Sequence, residues 1–132
     1  DMNRRVSQIF IEKALTNQTI TVQGEDEALD FTHVRDVSRG FVLAATQPAA
    51  TGETFNITFG KAHRLMDYAL ELQKYFPELK IDVTPRDSFR PKRGTLSIEK
   101  AHRLLDFSPQ VSLADGIREY IEFAKNSISG RT

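Results

Sequence analysis

Residues 29–40 read LDFTHVRDVSRG and set two acids, two arginines and a histidine among Phe31, Val34 and Val37. Such a density of polar groups beside apolar anchors suits a catalytic cluster, a phosphate site, or the passage from a strand into a helix. The spacing favours the passage. DFTHV reads as extended, whereas Val37, Phe41, Val42 and Ala45 recur at i, i+4, i+5 and i+8, which predicts a helix over 36–46. Asp36 then stands at the helix start, where a carboxylate accepts free backbone N–H groups and opposes the positive end of the dipole. General-base chemistry is the competing role for it. His33 alternates with Thr32 and Val34 and faces either solvent or a cleft, and Asp30 and Arg35 read as a surface pair or as loop caps.

Working outward, Val6, Ile9, Phe10, Ala14 and Leu15 keep to one side of a helix over 4–16. TITVQ at 19–23 alternates as a strand does, and the polar GEDEA after it reads as a surface loop. Beyond the junction, PAATGE is a loop, TFNIT at 54–58 a strand, and FGKAH a turn into a helix with the stripe Leu65, Ala69, Leu72 and Phe76, ended by Pro77. KIDVT at 80–84 alternates again, and PRDSFRPKRG at 85–94 is irregular. Ser97 caps a short helix carrying Ala101, Leu104 and Leu105. Ser112 with Asp115 opens a last helix with Leu113, Ile117, Tyr120, Ile121 and Ala124 on one face, frayed after Lys125. The order α-β-β-α-β-α-β-α-α places the chain in the α/β class, in the mixed α+β sense.

At 132 residues the chain has the length of one domain, and its 18 Lys+Arg against 18 Asp+Glu give no net bias toward nucleic acid or a membrane surface. Any anion site must therefore be local. Cysteine is absent, which removes disulfides and thiolate metal sites, and His33, His63 and His102 lie far apart without ligand spacing. The longest apolar runs, such as GFVLAA, are far short of a membrane span, and DMNRRVSQ has no stretch of signal-peptide type, so a soluble, cytoplasmic protein is expected.

The catalytic signatures that could be read locally are missing. The seven glycines form no GxGxxG, there is no P-loop, and no G-x-S-x-G. Tyr68, Tyr75 and Tyr120 are followed four residues on by Leu72, Leu79 and Ala124 rather than by lysine. One segment departs from the neutral background: RDSFRPKRG gathers Arg86, Arg90, Lys92 and Arg93, with Pro85 and Pro91 restricting the loop. Guanidinium forks match phosphate oxygens, and a diphosphate is the simplest ligand with that demand; a solvated basic loop is the alternative. Phe31, Phe55 and Phe59 read as core residues rather than stacking platforms.

Taken in order, RRVSQIFIEKAL, ITVQGEDEALDFTHVRDVSRGFVLA, GETFNITFG and RPKRGTLSIEKAHRLLDFSPQVSLADGIREYIEFA cover nearly the whole chain. This succession resembles the C-terminal third to half of an extended short-chain dehydrogenase/reductase, the family of NAD-dependent nucleotide-sugar epimerases and dehydratases. The resemblance implies that residues 1–132 are the substrate-binding portion of a Rossmann-type enzyme. NAD, the Gly-rich turn and the Tyr-x-x-x-Lys group would then belong to an N-terminal Rossmann domain not contained in this sequence. It further implies a nucleotide-diphosphate sugar as partner. The chemistry would be transient oxidation of a sugar carbon by NAD with tyrosine as base, most simply that of a UDP-glucose 4-epimerase. Dehydratase, decarboxylase and reductase relatives share the scaffold, and a non-catalytic binding module is the remaining alternative.

Carried over by position, Arg90 resembles the arginine of the family's R-P-G-D segment, with Arg93 as the alternative diphosphate ligand and Arg86 beside them. The helix carrying Val6 and Phe10 resembles the segment that borders the nucleotide base, with Arg4 and Arg5 as weaker candidates. Two positions depart from the family pattern: Leu29 stands where many members place a phosphate-binding arginine, and Asp106 where glycine is usual. In the family, the helix after VRD and the TFNIT strand pack against the cofactor domain. This chain alone is therefore expected to expose apolar surface or a strand edge, and to self-associate.

Overall fold

A computed structural model describes residues 5–89 and 91–129, the side chains of 128 and 129 excepted. The alternation in ITVQ becomes β1 (Ile20–Gln23), with Ile20 and Val22 buried and Thr21 and Gln23 exposed. It pairs in parallel with β4 (Ile81–Thr84), Ile20 opposite Ile81 and Val22 opposite Val83. Parallel neighbours need a long crossover, and here the chain makes β2 (Ala28–Leu29), α2 (Val34–Thr46), β3 (His63–Arg64) and α3 (Leu65–Gln73) before it returns as β4. The short strands β2 and β3 pair with each other.

The described residues fall into two compact units. The first takes those up to Glu27, those of Arg64–Pro91 and those from Ala114 onward. Its core is one apolar set: Phe10, Ile11 and Ala14 of α1 (Val6–Leu15), Ile20 and Val22 of β1, Leu65, Tyr68, Ala69 and Leu72 of α3, Leu79, and Ile117 and Ile121 of α5 (Leu113–Ser129). The helical stripes read from the sequence supply Phe10, Ala14, Leu65, Ala69, Leu72, Ile117 and Ile121, since side chains three and four apart share one face, while Ile11 and Tyr68 join the buried set from outside those stripes. Two limits differ from expectation. α3 ends at Gln73, short of Pro77, after which Tyr75 and Phe76 both donate backbone N–H groups to the Leu72 carbonyl. α5 runs on to Ser129 rather than fraying after Lys125.

The second unit takes Ala28–His63 and Lys92–Leu113. Ala101 and Leu105 of α4 (Glu99–Leu105) and Phe107 are its buried centre, with Leu43, Ala44, Ala50, Phe55, Ile57 and Ile98 packed against it. α2 begins two residues earlier than predicted. His33 is its cap, its Nδ1 accepting the Arg35 N–H at 3.2 Å, so Asp36 is not the cap. Freed from that task, Asp36 is 2% exposed, and its carboxylate accepts the N–H groups of Gln110 and Val111.

TFNIT, predicted as a strand, joins no ladder among the described residues; the third strand is His63–Arg64 instead. Its contacts explain this. Phe55 and Ile57 pack on the core, Asn56 donates to the Ser97 carbonyl at 3.0 Å, and Ile57 lies so close to Gly40 that a Cβ there would come within 2.4 Å of its Cγ2. The stripe by which α2 is recognised in the sequence also turns outward. Phe41 and Val42 are 66% and 61% exposed, as is Val34 at 69%, while the buried face holds Asp36 and Gly40. No helix among the described residues is long and apolar enough to cross a membrane.

Candidate functional site

In the second unit, Asp30 follows directly on β2, where its carboxylate gathers backbone donors from distant segments. Oδ1 accepts the Phe59 N–H at 3.0 Å, and Oδ2 accepts the Gly60 N–H at 3.1 Å and, at the long limit of 3.5 Å, the Leu96 N–H. Thr32 Oγ1 shares the Phe59 donor at 3.0 Å. Amide donors to a carboxylate are charge-assisted, each worth about 1.5–3 kcal/mol. Gly60 makes the turn possible: its φ is +77°, and a Cβ would meet the Ile98 side chain at 2.9 Å. Asp30 thus accepts three backbone amides, an arrangement that fixes loops.

The basic loop continues from this node. Thr95 Oγ1 accepts the Ala62 N–H at 2.8 Å, Leu96 donates to Asp30, and the Ser97 carbonyl accepts from Asn56. Arg93 stands two residues before this fastened stem, exposed to solvent. Its neighbour Gly94 has open space where a side chain would be. In the first unit, Arg86 has a different commitment. Its Nε lies 2.7 Å from the Glu27 carboxylate, and its stem passes over Gly24, where a Cβ would come within 3.0 Å. The opposed charge of Glu27, 59 residues away in the chain, is the neutralising partner that inspection of the loop alone does not reveal.

Phe10 is 3% exposed and meets the ring of Tyr68 edge to face, with centroids 6.0 Å apart, so its side chain belongs to the core of the first unit. Arg5 is exposed at the start of α1. Arg90 and Arg4 lie outside the described residues. Leu29 lies half-buried in β2, next to Asp30. Sequence reasoning missed Thr95 and Glu27, and, for Asp30, which it read as a surface pair or a loop cap, the particular amides it caps. Their partners lie 29 to 66 residues away, so only the fold brings them together.

Among the described residues no glycine turn leads from a strand into a helix. A dinucleotide site needs a glycine turn leading from a strand into a helix, so that amides at the helix start meet the pyrophosphate. The glycine after β1, Gly24, instead donates its N–H to Thr84 and lies against Arg86, and the chain passes on to β2 rather than to a helix.

Comparison with known proteins agrees with the quoted motifs. The sequence model of the NAD dependent epimerase/dehydratase family matches residues 1–58. UDP-glucose 4-epimerase of Mycolicibacterium smegmatis is 28% identical over 125 residues, 89% of this chain and 38% of that protein. Among solved structures, an epimerase of Methanothermobacter thermautotrophicus superimposes with a TM-score of 0.87 at 30% identity, covering 97% of this chain and 39% of its own. UDP-glucuronic acid 4-epimerase of Bacillus cereus, in complex with UDP-glucuronic acid and NAD, gives 0.83 at 27% identity, covering 92% and 40%. The chain therefore spans about two fifths of the length of these relatives. With the motifs in order along nearly the whole chain and its elements superimposing on those of these epimerases, the chain is similar over nearly all of its length to members of the NAD-dependent epimerase/dehydratase family.

Proposed function

We propose that this chain is the nucleotide-sugar-binding portion of an NAD-dependent epimerase, most simply one acting on a UDP-sugar at C4. The observation that carries this reading is the likeness, over 92% of the chain, to an epimerase in complex with UDP-glucuronic acid and NAD. The relative identified as a UDP-glucose 4-epimerase supports it. In this reading Arg93, delivered by its fastened stem, and Arg90 take the diphosphate. Arg86 contributes mainly through its pair with Glu27, which fixes the start of the loop. The role of the chain is to bind and orient, turning the binding energy of the nucleotide into placement of the sugar.

NAD and the residues that move protons then belong to a Rossmann domain elsewhere in the parent, and the outward apolar stripe Val34, Phe41 and Val42 of α2 is surface which that domain covers. Determining the coding sequence upstream of Asp1 tests this. The reading expects a strand–glycine turn–helix and a Tyr-x-x-x-Lys in frame. A stop codon directly upstream, or an open frame with neither feature, would overturn it.

A further inference from the structure

The stem of the basic loop is held residue by residue: Thr95 through its hydroxyl to Ala62, Leu96 through its N–H to Asp30, Ser97 through its carbonyl to Asn56. Lys92, Arg93 and Gly94 precede it, exposed. An arginine on a free loop loses backbone and side-chain freedom when it grips an anion, and one presented by a pre-ordered stem loses less. The group common to the stem, the Phe59–Gly60 turn and the end of β2 is the Asp30 carboxylate.

We propose that Asp30 is a positioning residue for anion binding: it holds the stem that presents Arg93 to a diphosphate. The proposal rests on the nucleotide-diphosphate reading above and adds a consequence opposite in sign to simple electrostatics. A carboxylate near an anion site repels the anion, so removing its charge by Asp30→Asn would by charge alone tighten binding. By position it loosens binding, because the new amide group sets N–H donors against those of Phe59 or Gly60 and releases the stem.

The test is calorimetric titration of the 132-residue chain and its variants with UDP, with amide NMR spectra of each free protein. Wild type binds, and Arg93→Ala weakens binding about tenfold, as expected for the loss of a charge-assisted fork. Asp30→Asn also weakens it about tenfold, with the Gly60, Thr95 and Leu96 amides shifted. The double variant is no weaker than Arg93→Ala alone, since both changes remove the same contact. The milder Thr95→Val, which removes only the acceptor for Ala62, moves affinity in the same direction and serves if Asp30→Asn does not fold. If Arg93→Ala weakens binding while Asp30→Asn, or Thr95→Val in its place, binds UDP as tightly as wild type or tighter, the positioning role is overturned and the nucleotide reading stands. A folded wild type that binds no UDP overturns both.

Discussion

The buried carboxylate of Asp36 accepts the backbone N–H of Val111 at 2.9 Å across 75 residues of chain, and with both oxygens at 3.0 Å it also accepts the N–H of Gln110. Arg39, one turn further along α2, approaches the same carboxylate at 3.1 Å and donates as well to the Ser108 carbonyl. α2 and the connector after Phe107 are thereby clasped inside the second unit. Asp36→Ala leaves two amides without their acceptor and the Arg39 guanidinium without its carboxylate partner, and is expected to lower unfolding stability by about 3 kcal/mol. Asp36→Asn, which keeps one acceptor oxygen, costs less. Urea unfolding checks both, and an alanine variant within about 0.5 kcal/mol of wild type would remove the clasp from the account.

Asp106 ends α4 in the left-handed conformation, φ 54° and ψ 32°. Side chains other than glycine are strained there, though Asp and Asn tolerate it best. Asp106→Gly should therefore raise stability by about 0.5–1 kcal/mol, read as an upward shift of the thermal midpoint. Unchanged or lower stability would show that the aspartate is not strained at this position.

Burial pushes the Tyr68 phenol upward, with Tyr120 a lesser cause in the same direction. The unfolded chain ionises that phenol near pH 10, while the folded one keeps its proton. Above about pH 10 the unfolded state holds fewer protons, so stability contributed by the neutral phenol is complete below that pH and falls as pH rises. Urea midpoints measured from pH 8 to 11 should fall at the alkaline end, and less steeply in Tyr68→Phe. Equal slopes in the two proteins would contradict the assignment.

Much of this was legible because local pattern and tertiary need coincide. β1 alternates since one face is buried, and the stripes of α1, α3 and α5 point inward, so periodicity located them. The departures arise where a distant partner decides. TFNIT has strand composition, yet Asn56 and Ile57 are claimed by Ser97 and Gly40. Asp36 has the signature of a helix cap, but His33 caps and Asp36 reaches Val111. Arg86 looks like a free cation until Glu27 is brought beside it. The stripe of α2 gave the helix correctly while leaving open which way it faces.

That stripe has a consequence in solution. Phe41, 66% exposed, with Val34 and Val42 forms an apolar surface on α2, and in isolation such a surface associates with itself or binds apolar dyes. The chain should bind such a dye and scatter increasingly with concentration, and Phe41→Glu should reduce both without lowering the thermal midpoint. A clean monomer that binds no dye would contradict this use of the α2 face.

The central claim is that a nucleotide diphosphate is gripped by the basic loop. Calorimetric titration of the chain with UDP, UDP-glucose and UDP-glucuronic acid tests it most directly. Saturable binding that weakens with salt and falls about tenfold in Arg93→Ala is the predicted result. A folded chain that takes up none of the three at millimolar concentration, or an Arg93→Ala variant indistinguishable from wild type, would contradict it.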